Sequence, residues 1–152
     1  MDQILLGEFR HSLDEKNRVS VPRKFREALD ARNPEDGFYL TRGLDGAIWM
    51  FTESQWRDVD QIFRSLRGNG LGSEKVRQFE RAFYKSAMKG VPDRQGRILL
   101  TDRLLQHASI QKEVVFIGMP HKIEIWAAEK QRAFDEEFEG GRYDDVAREF
   151  FG

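Results

Sequence analysis

This 152-residue sequence contains an internal repeat, which limits the folds open to it. A D-x-x-x-R segment followed by a short apolar run occurs at residues 14–21 and again at residues 93–100, 79 positions later. The similarity between the halves continues beyond this segment. Each half is therefore predicted to contain, in order, a strand, a D-x-x-x-R turn, a strand, a short helix, a hairpin and a longer helix.

The repeat also predicts how the halves combine. A half of about 60 residues buries only a marginal core by itself, and its short strands need partners. We therefore expect one α+β domain with a pseudo-two-fold axis, in which strands of the two halves interleave and helices flank the sheet. The first repeat is predicted at residues 1–67, a Gly-rich linker and connecting helix at 68–89, the second repeat at 90–139 and an acidic C-terminal tail at 140–152.

Local sequence signals place individual elements within this plan. Thr52 and Gln55 form a capping-box pattern, which predicts the start of a helix. The Asp-Gly pair at residues 45–46 lies between two apolar runs and predicts a hairpin turn. Ser73 is predicted to cap a helix that extends to about Lys89 and joins the two halves.

Charge distribution limits where a nucleic acid could bind. The chain has 25 basic and 26 acidic residues, so its net charge of −1 argues against a uniformly basic surface, and any binding patch must be local. Residues 124–152 carry nine acidic and four basic side chains, which leaves a net charge of about +4 on the preceding part. The sharpest basic excess is at residues 14–26, where a merely solvated charged face is the other interpretation.

Several kinds of site are not expected. The sequence contains no Cys, which removes disulfides, thiolate nucleophiles and Cys-ligated zinc. Its three His residues lack metal-ligand spacing, and no Ser-centred nucleophile motif accompanies them. We therefore predict no catalytic residue, no metal and no cofactor. Because no apolar run approaches about 18 residues and no signal-peptide pattern is present, we expect no membrane partner and a cytoplasmic location.

The D-x-x-x-R turns are the segments best suited to binding. An Asp at the first position of a tight turn accepts backbone N–H bonds, and an Asn or Gly three residues on can take the left-handed conformation. The following Arg can pair with that carboxylate, and an oriented guanidinium binds phosphate or a guanine edge through two acceptors at once. The alternative is that Asp and Arg only staple a hairpin, but two copies beside further basic residues favour an anion-binding surface. The residues concerned are Asp14, Asn17, Arg18, Asp93, Gly96 and Arg97, with Lys16, Arg23 and Arg94 nearby.

These motifs resemble those of the MraZ family of bacterial transcriptional regulators. The resemblance covers about residues 5–138 and is carried by residues 7–22, 41–46, 93–100, 113–118 and 123–126. It implies a double-stranded-DNA-binding protein of the AbrB type, each half being a swapped-hairpin unit. It also implies a homo-oligomeric ring that acts in the nucleoid on the promoter of a cell-division and cell-wall gene cluster. By the same resemblance, Arg18 and Arg97 face the DNA.

The sequence departs from the family pattern at two positions. Asn17 stands where the first motif usually has Gly, a change that costs little because Asn tolerates the left-handed region. Thr101 stands where a Pro is expected after the second motif, and it is able to cap the second short helix.

The sequence bears on three classes of function. The first is a DNA-binding regulator that reads repeated promoter sites through Arg18 and Arg97, and linked copies in a ring would raise its avidity for neighbouring repeats. The second is an AbrB-type antitoxin or protein-interaction module whose acidic C-terminal stretch captures a partner. The third is an enzyme, for which the sequence offers no catalytic motif. The duplicated D-x-x-x-R motif favours the first, and the prediction is a non-enzymatic regulator.

Overall fold

The order of elements is the same in the two halves, as the repeat predicts. The computed structural model of the chain describes residues 4–68 and 74–152. Within these residues the strands are β1 (Gly7–Ser12), β2 (Arg18–Ser20), β3 (Phe38–Arg42), β4 (Ile48–Phe51), β5 (Met88–Gly90), β6 (Arg97–Leu99), β7 (Glu113–Gly118) and β8 (Ile123–Ala127). The helices are α1 (Arg23–Arg26), α2 (Glu53–Leu66), α3 (Glu74–Lys85), α4 (Asp102–Ala108), α5 (Ala128–Glu139) and α6 (Arg142–Phe151).

Strands from the two halves interleave in a mixed α/β fold whose described strand pairs are all antiparallel. A six-stranded sheet has the order β1-β7-β8-β4-β3-β5, and β2 pairs with β6 in a separate two-stranded ribbon. Each half therefore places its first strand beside the hairpin of the other half, β1 against β7 and β5 against β3. The expected interleaving of strands is present, and neither half contains all of its own pairing partners.

The main core lies between the six-stranded sheet and the ribbon. Val19 of β2 and Ile98 of β6 face each other in the ladder and are fully buried against the sheet. The short helix α1 contributes Phe25, which packs edge-on against Phe9 of β1 with ring centroids 5.3 Å apart. Because these contacts bury apolar surface of both halves in one cluster, the ribbon is held firmly on the sheet.

A second, aromatic cluster covers the opposite face of the sheet near α2 and α3. Trp56 of α2 stacks on Tyr39 of β3, with ring centroids 5.2 Å apart, and on Phe83 of α3 at 5.7 Å. The hydroxyl of Thr41 donates to the backbone carbonyl of Phe83 at 2.5 Å, which ties α3 to the sheet. Ring stacking and this buried hydrogen bond together fix the two helices over β3 and β4.

The predicted local signals agree with the structure except at the end of one helix. Thr52 and Gln55 form the reciprocal capping box at the start of α2, and residues 45–46 both have positive φ in the β3–β4 turn. The sequence pattern predicts that the connecting helix reaches Lys89, but α3 ends at Lys85. The next residues form β5 instead, because pairing with β3 satisfies backbone groups that a longer helix would leave at the sheet edge.

Of two further predicted segments, one lies outside the described residues and the other contains a helix. The Ser73 cap and residues 69–72 of the Gly-rich linker lie outside the described residues. Residues 140–152, predicted as an acidic tail, contain the ten-residue helix α6. That helix contacts α5, and none of its own residues is buried.

Candidate nucleic-acid interface

The β2–β6 ribbon presents one polar face to solvent. In the antiparallel ladder Arg18 lies opposite Leu99, and Ser20 lies opposite Arg97. Strand side chains alternate between faces, so the burial of the central pair directs these four outward. The exposed face is therefore a short two-stranded surface on which an arginine from each repeat is combined with one small polar and one apolar residue.

The first turn holds its arginine through a single carboxylate. Oδ1 of Asp14 accepts the backbone N–H groups of Lys16 and Arg18, both at 2.9 Å. Oδ2 of Asp14 accepts Nε of Arg18 at 2.8 Å. Asn17 has φ 60°, the left-handed conformation expected of it, and its N–H donates to the Asp14 carbonyl at 3.2 Å. The turn thus fixes both the backbone and the guanidinium.

The second turn repeats this geometry. Oδ1 of Asp93 accepts the N–H groups of Gln95 and Arg97 at 2.8 and 3.0 Å, and its Oδ2 accepts Nε of Arg97 at 3.2 Å. Gly96 has φ 77°, and a Cβ there would lie only 2.8 Å from the guanidinium carbon of Arg26. The backbone conformation therefore favours glycine, and a Cβ at this position would displace the Arg26 guanidinium.

The two turns are joined across the repeat. Nη1 of Arg97 donates to Oδ2 of Asp14 at 3.3 Å, so one carboxylate oxygen receives both arginines. Two backbone bonds, from the N–H of Val21 to Gly96 and from the N–H of Leu100 to Asn17, connect the same segments at 2.9 Å. The reading head, which we define as Asp14, Arg18, Asp93 and Arg97, is a single hydrogen-bonded unit.

Hydrogen bonds lower the pKa values of the two carboxyl groups in this unit. The backbone N–H of Arg18 is the largest cause that lowers the pKa of the Asp14 carboxyl, followed among the lowering causes by the N–H of Lys16 and the Arg18 guanidinium. The backbone N–H of Arg97 likewise lowers the pKa of Asp93. Within the described residues the Nη atoms of Arg18 have no hydrogen-bond partner, so this guanidinium can still bind a planar pair of acceptors.

The other predicted basic residues lie around the reading head. Lys16 and Arg94 are exposed within the first and second turns, and Arg23 is exposed at the start of α1. Nε of Arg23 is 3.5 Å from a carboxylate oxygen of Glu27, and this exposed pair is weak. The structure thus places Lys16 and Arg94 in the two turns and Arg23 on α1, which follows β2 in the chain.

Sequence reasoning missed three residues of this surface. Ser20 and Leu99 complete the outward face of the ribbon, and the alternation in Arg-Val-Ser and Arg-Ile-Leu was the signal that could have identified them. Arg26 lies over Gly96 and donates from Nε to the carbonyl of Val21 at 3.0 Å. No local pattern marks Arg26, because its contact depends on how α1 packs against the other repeat.

Comparison with known proteins shows the family to which this chain belongs. The family model described as "MraZ protein, putative antitoxin-like" matches residues 4–67 and 83–150, one segment for each repeat. The chain belongs to the MraZ family. The two matched segments also confirm the tandem repeat, and each D-x-x-x-R turn of the reading head lies within one of them.

Relatives of the MraZ family align along nearly the whole chain. A protein of Symbiobacterium thermophilum is 39% identical over 142 residues, covering 93% of this chain and 96% of its own. One of Natranaerobius thermophilus is 38% identical over 146 residues, 96% of both chains, and one of Clostridium acetobutylicum is 38% identical over 133 residues, 88% of both. All three are named transcriptional regulator MraZ. The family is thus one of regulators and not of enzymes, as predicted.

Two other kinds of feature are absent from the described part of the chain. Among residues 4–68 and 74–152, no group of three or more His, Asp or Glu side chains is arranged to hold a metal ion. No helix in those residues is long and apolar enough to span a membrane.

Proposed function

We propose that this chain is a transcriptional regulator that binds double-stranded DNA in a sequence-specific manner, with Arg18 and Arg97 reading base edges. The observation that carries the proposal is the paired arrangement of these arginines on an exposed two-stranded ribbon, both bonded to Asp14. The major groove admits a two-stranded β-ribbon, and an arginine fork matches the two acceptors on a guanine edge.

The surrounding residues have distinct proposed roles. Lys16, Arg23 and Arg94 contact phosphates, because they are exposed cations on the reading-head segments and have no fixed planar geometry imposed on them. The two carboxylates position the arginines, and Asn17 and Gly96 supply the left-handed turn conformation. In this arrangement base contacts specify the site while phosphate contacts set register and much of the affinity.

The finer features of the proposal rest on the family resemblance together with the repeat. We propose the AbrB-type swapped-hairpin architecture, with repeats at residues 1–67 and 90–139 separated by residues 68–89 and followed by residues 140–152. The targets proposed are repeated promoter sites of a cell-division and cell-wall gene cluster in the nucleoid. A ring of identical subunits would engage several such sites at once, so modest contacts per subunit add up through effective concentration.

A footprint of the purified protein on DNA upstream of its own gene tests the proposal. We expect several protected repeats at regular spacing, and we expect the Arg18→Ala/Arg97→Ala double variant to leave them unprotected. Arg57→Ala, which removes an exposed arginine from α2, is the matched control and should protect them as the unmodified chain does. Unchanged protection by the double variant would contradict the proposal that Arg18 and Arg97 read the DNA sequence.

The family description includes the words antitoxin-like, which support a second candidate function, that of a protein-interaction module. A protein-interaction module would use its acidic C-terminal stretch, where the exposed helix α6 lies, to capture a partner protein. Stable co-purification of one unrelated protein in equal amount, lost when that stretch is altered, would favour this candidate over DNA binding.

A further inference from the structure

Helix α6 is the least completely packed element of the described chain. None of its residues is buried, and Tyr143, Phe150 and Phe151 are 54%, 73% and 93% exposed. Residues 143, 146, 147 and 150 recur at helical spacing and form one apolar face. Its aromatic contact with α5 is the edge-on pair of Tyr143 and Phe138, with ring centroids 6.0 Å apart. An exposed aromatic face of this kind marks an interaction surface.

Acidic side chains outnumber basic ones near that apolar face. Residues 135–139 at the end of α5 include four acids and no base. Helix α6 adds the acids Asp144, Asp145 and Glu149 and the bases Arg142 and Arg148, and Asp145 pairs with Arg148 at 3.3 Å. We call the apolar side of α6 together with these acids the acidic face. Its charge repels DNA phosphate and suits a partner with basic side chains.

A groove of opposite charge lies elsewhere on the same chain. A cavity of about 340 Å³ between the end of β3, α3 and the start of α4 is lined by four cations and, among the described residues, by no carboxylate. The lining cations, which define the basic groove, are Arg42, Arg81, Lys85 and Arg103. Arg103 donates to the backbone carbonyl of Lys85 at 3.0 Å, and in the described part of the chain the groove has no acidic partner for any of the four.

The basic groove has one apolar residue in its lining. Leu44 follows Arg42 by two residues in the β3–β4 turn and is 65% exposed, and Ala82 of α3 lines the groove itself. The acidic face and the basic groove are therefore complementary in charge, because residues 135–149 carry seven acids and two bases while four cations line the groove. A single chain that carries both surfaces can bind further copies of itself.

We propose that the acidic face of one subunit docks in the basic groove of a second copy of this chain. The inference rests on the self-association included in the proposed function. It adds the two surfaces that meet and the polarity of the contact, meaning that each partner contributes a different surface. Because different surfaces meet, the contact is heterologous, which produces a ring when the rotation between subunits closes. The reading head takes no part in the contact, so assembly and DNA recognition depend on separate residues.

Mixing two variants tests this polarity. Arg42→Glu/Arg81→Glu disables the groove, and Phe150→Ser/Phe151→Ser disables the acidic face; all four side chains are exposed in the subunit. We expect each variant alone to have the mass of one subunit, 17.8 kDa, by light scattering. An equimolar mixture should form a species of twice that mass and nothing larger, because each pair retains one intact acidic face against one intact groove.

Controls distinguish loss of this contact from a general effect of charge and from unfolding. Arg32→Glu/Lys112→Glu makes the same charge change outside the groove and should keep the mass of the unmodified assembly. Adding Asp144→Arg/Glu149→Arg to the groove variant should restore the larger assembly by exchanging the charges. A melting transition like that of the unmodified chain establishes that each single-surface variant is folded. Restored assembly by the charge-exchanged variant would show independently that the groove substitutions leave the chain folded.

Other outcomes would overturn the docking proposal. They include an unchanged mass for either single-surface variant, or a mixture that remains at the mass of one subunit. A groove variant of unchanged mass that loses affinity for all DNA would assign the groove to phosphate. Capture of an unrelated protein by the acidic face, without self-association, would assign that face to another partner. Operator binding by Arg18→Ala/Arg97→Ala is measured separately, so failure of the reading head leaves this test unaffected.

Discussion

Arg97 donates to the carboxylate of Asp14, a residue 83 positions earlier and in the other repeat. The same oxygen accepts Nε of Arg18, so Asp14 holds both arginines of the reading head while Asp93 holds one. The two turns are therefore unequal where they meet. This inequality gives the two otherwise equivalent carboxylates different expected effects on binding.

We expect Asp14→Ala to weaken operator binding more than Asp93→Ala. The first change leaves Arg18 without a carboxylate partner and removes one of the two carboxylate bonds of Arg97, whereas the second removes only the other bond of Arg97. Fluorescence anisotropy with a labelled operator would measure the difference, and Asp58→Ala on α2 serves as the control for loss of one exposed acid. If both turn variants bound more tightly than the unmodified chain, the carboxylates would merely be repelling DNA.

Arg18→Ala and Arg97→Ala should each remove a base contact. The loss of one bidentate contact is worth about 1–3 kcal/mol of discrimination per site before several subunits multiply it. Arg18→Lys should restore little, because an ammonium lacks the planar fork. Affinities for the operator and for operators changed at single base pairs would check this, and equal discrimination by variant and unmodified protein would contradict it.

Lys16→Ala, Arg23→Ala and Arg94→Ala should act on all sequences alike. Each removes a proposed phosphate contact, so the slope of log K against log salt should become shallower by about one unit per contact in each bound subunit. Titrations of operator and random duplex at several salt concentrations measure both slopes. A loss confined to the operator would instead make the residue concerned a base reader.

Gly96→Ala should destabilise the fold and Asn17→Gly should not. At φ 77° a side chain at position 96 enters the left-handed region at a cost of about 1–2 kcal/mol, and its Cβ would also contact the Arg26 guanidinium. Asn17 already tolerates the same region at the equivalent position. Denaturant unfolding of both variants provides the comparison, and equal stability of Gly96→Ala would show that the turn readily adapts.

The free energy of unfolding should decrease as the pH falls below 6.5, through His11. Burial, with a further contribution from the Arg26 charge, lowers the pKa of this imidazole below its ordinary value of 6.5. The unfolded chain therefore takes up the proton first, and folded stability is lost as the pH falls from 6.5 through the lower folded pKa. Melting curves from about pH 8 to about pH 5 span the ordinary pKa of about 6.5. They should show a smaller decrease in the free energy of unfolding for His11→Gln than for the unmodified chain.

The carboxylates of the reading head respond in a different pH range. The pKa values of Asp14 and Asp93 are lowered from 3.8, so their contribution to folding is present above that value and is lost only as the pH falls below it. A decrease that persisted unchanged in His11→Gln above pH 5 would therefore point to a group other than His11 and not to these turns.

Features that depend only on neighbouring residues are predictable from the sequence. The order of elements, the capping box of Thr52 and Gln55, and the left-handed positions Asn17 and Gly96 were all predicted and are present. Each follows from backbone geometry and hydrogen bonds within a few residues, so a local pattern is sufficient to indicate it. The repeat added that two such turns exist and that their halves interleave.

The groups that meet across the repeats become evident only in the folded chain. The shared Asp14 carboxylate and the approach of Arg26 to Gly96 depend on the antiparallel register of β2 against β6. The early end of α3 depends on the free edge of β3, which is available because the sheet contains strands of both halves. These contacts join residues far apart in the chain, and their geometry follows from how the core packs, which no local pattern records.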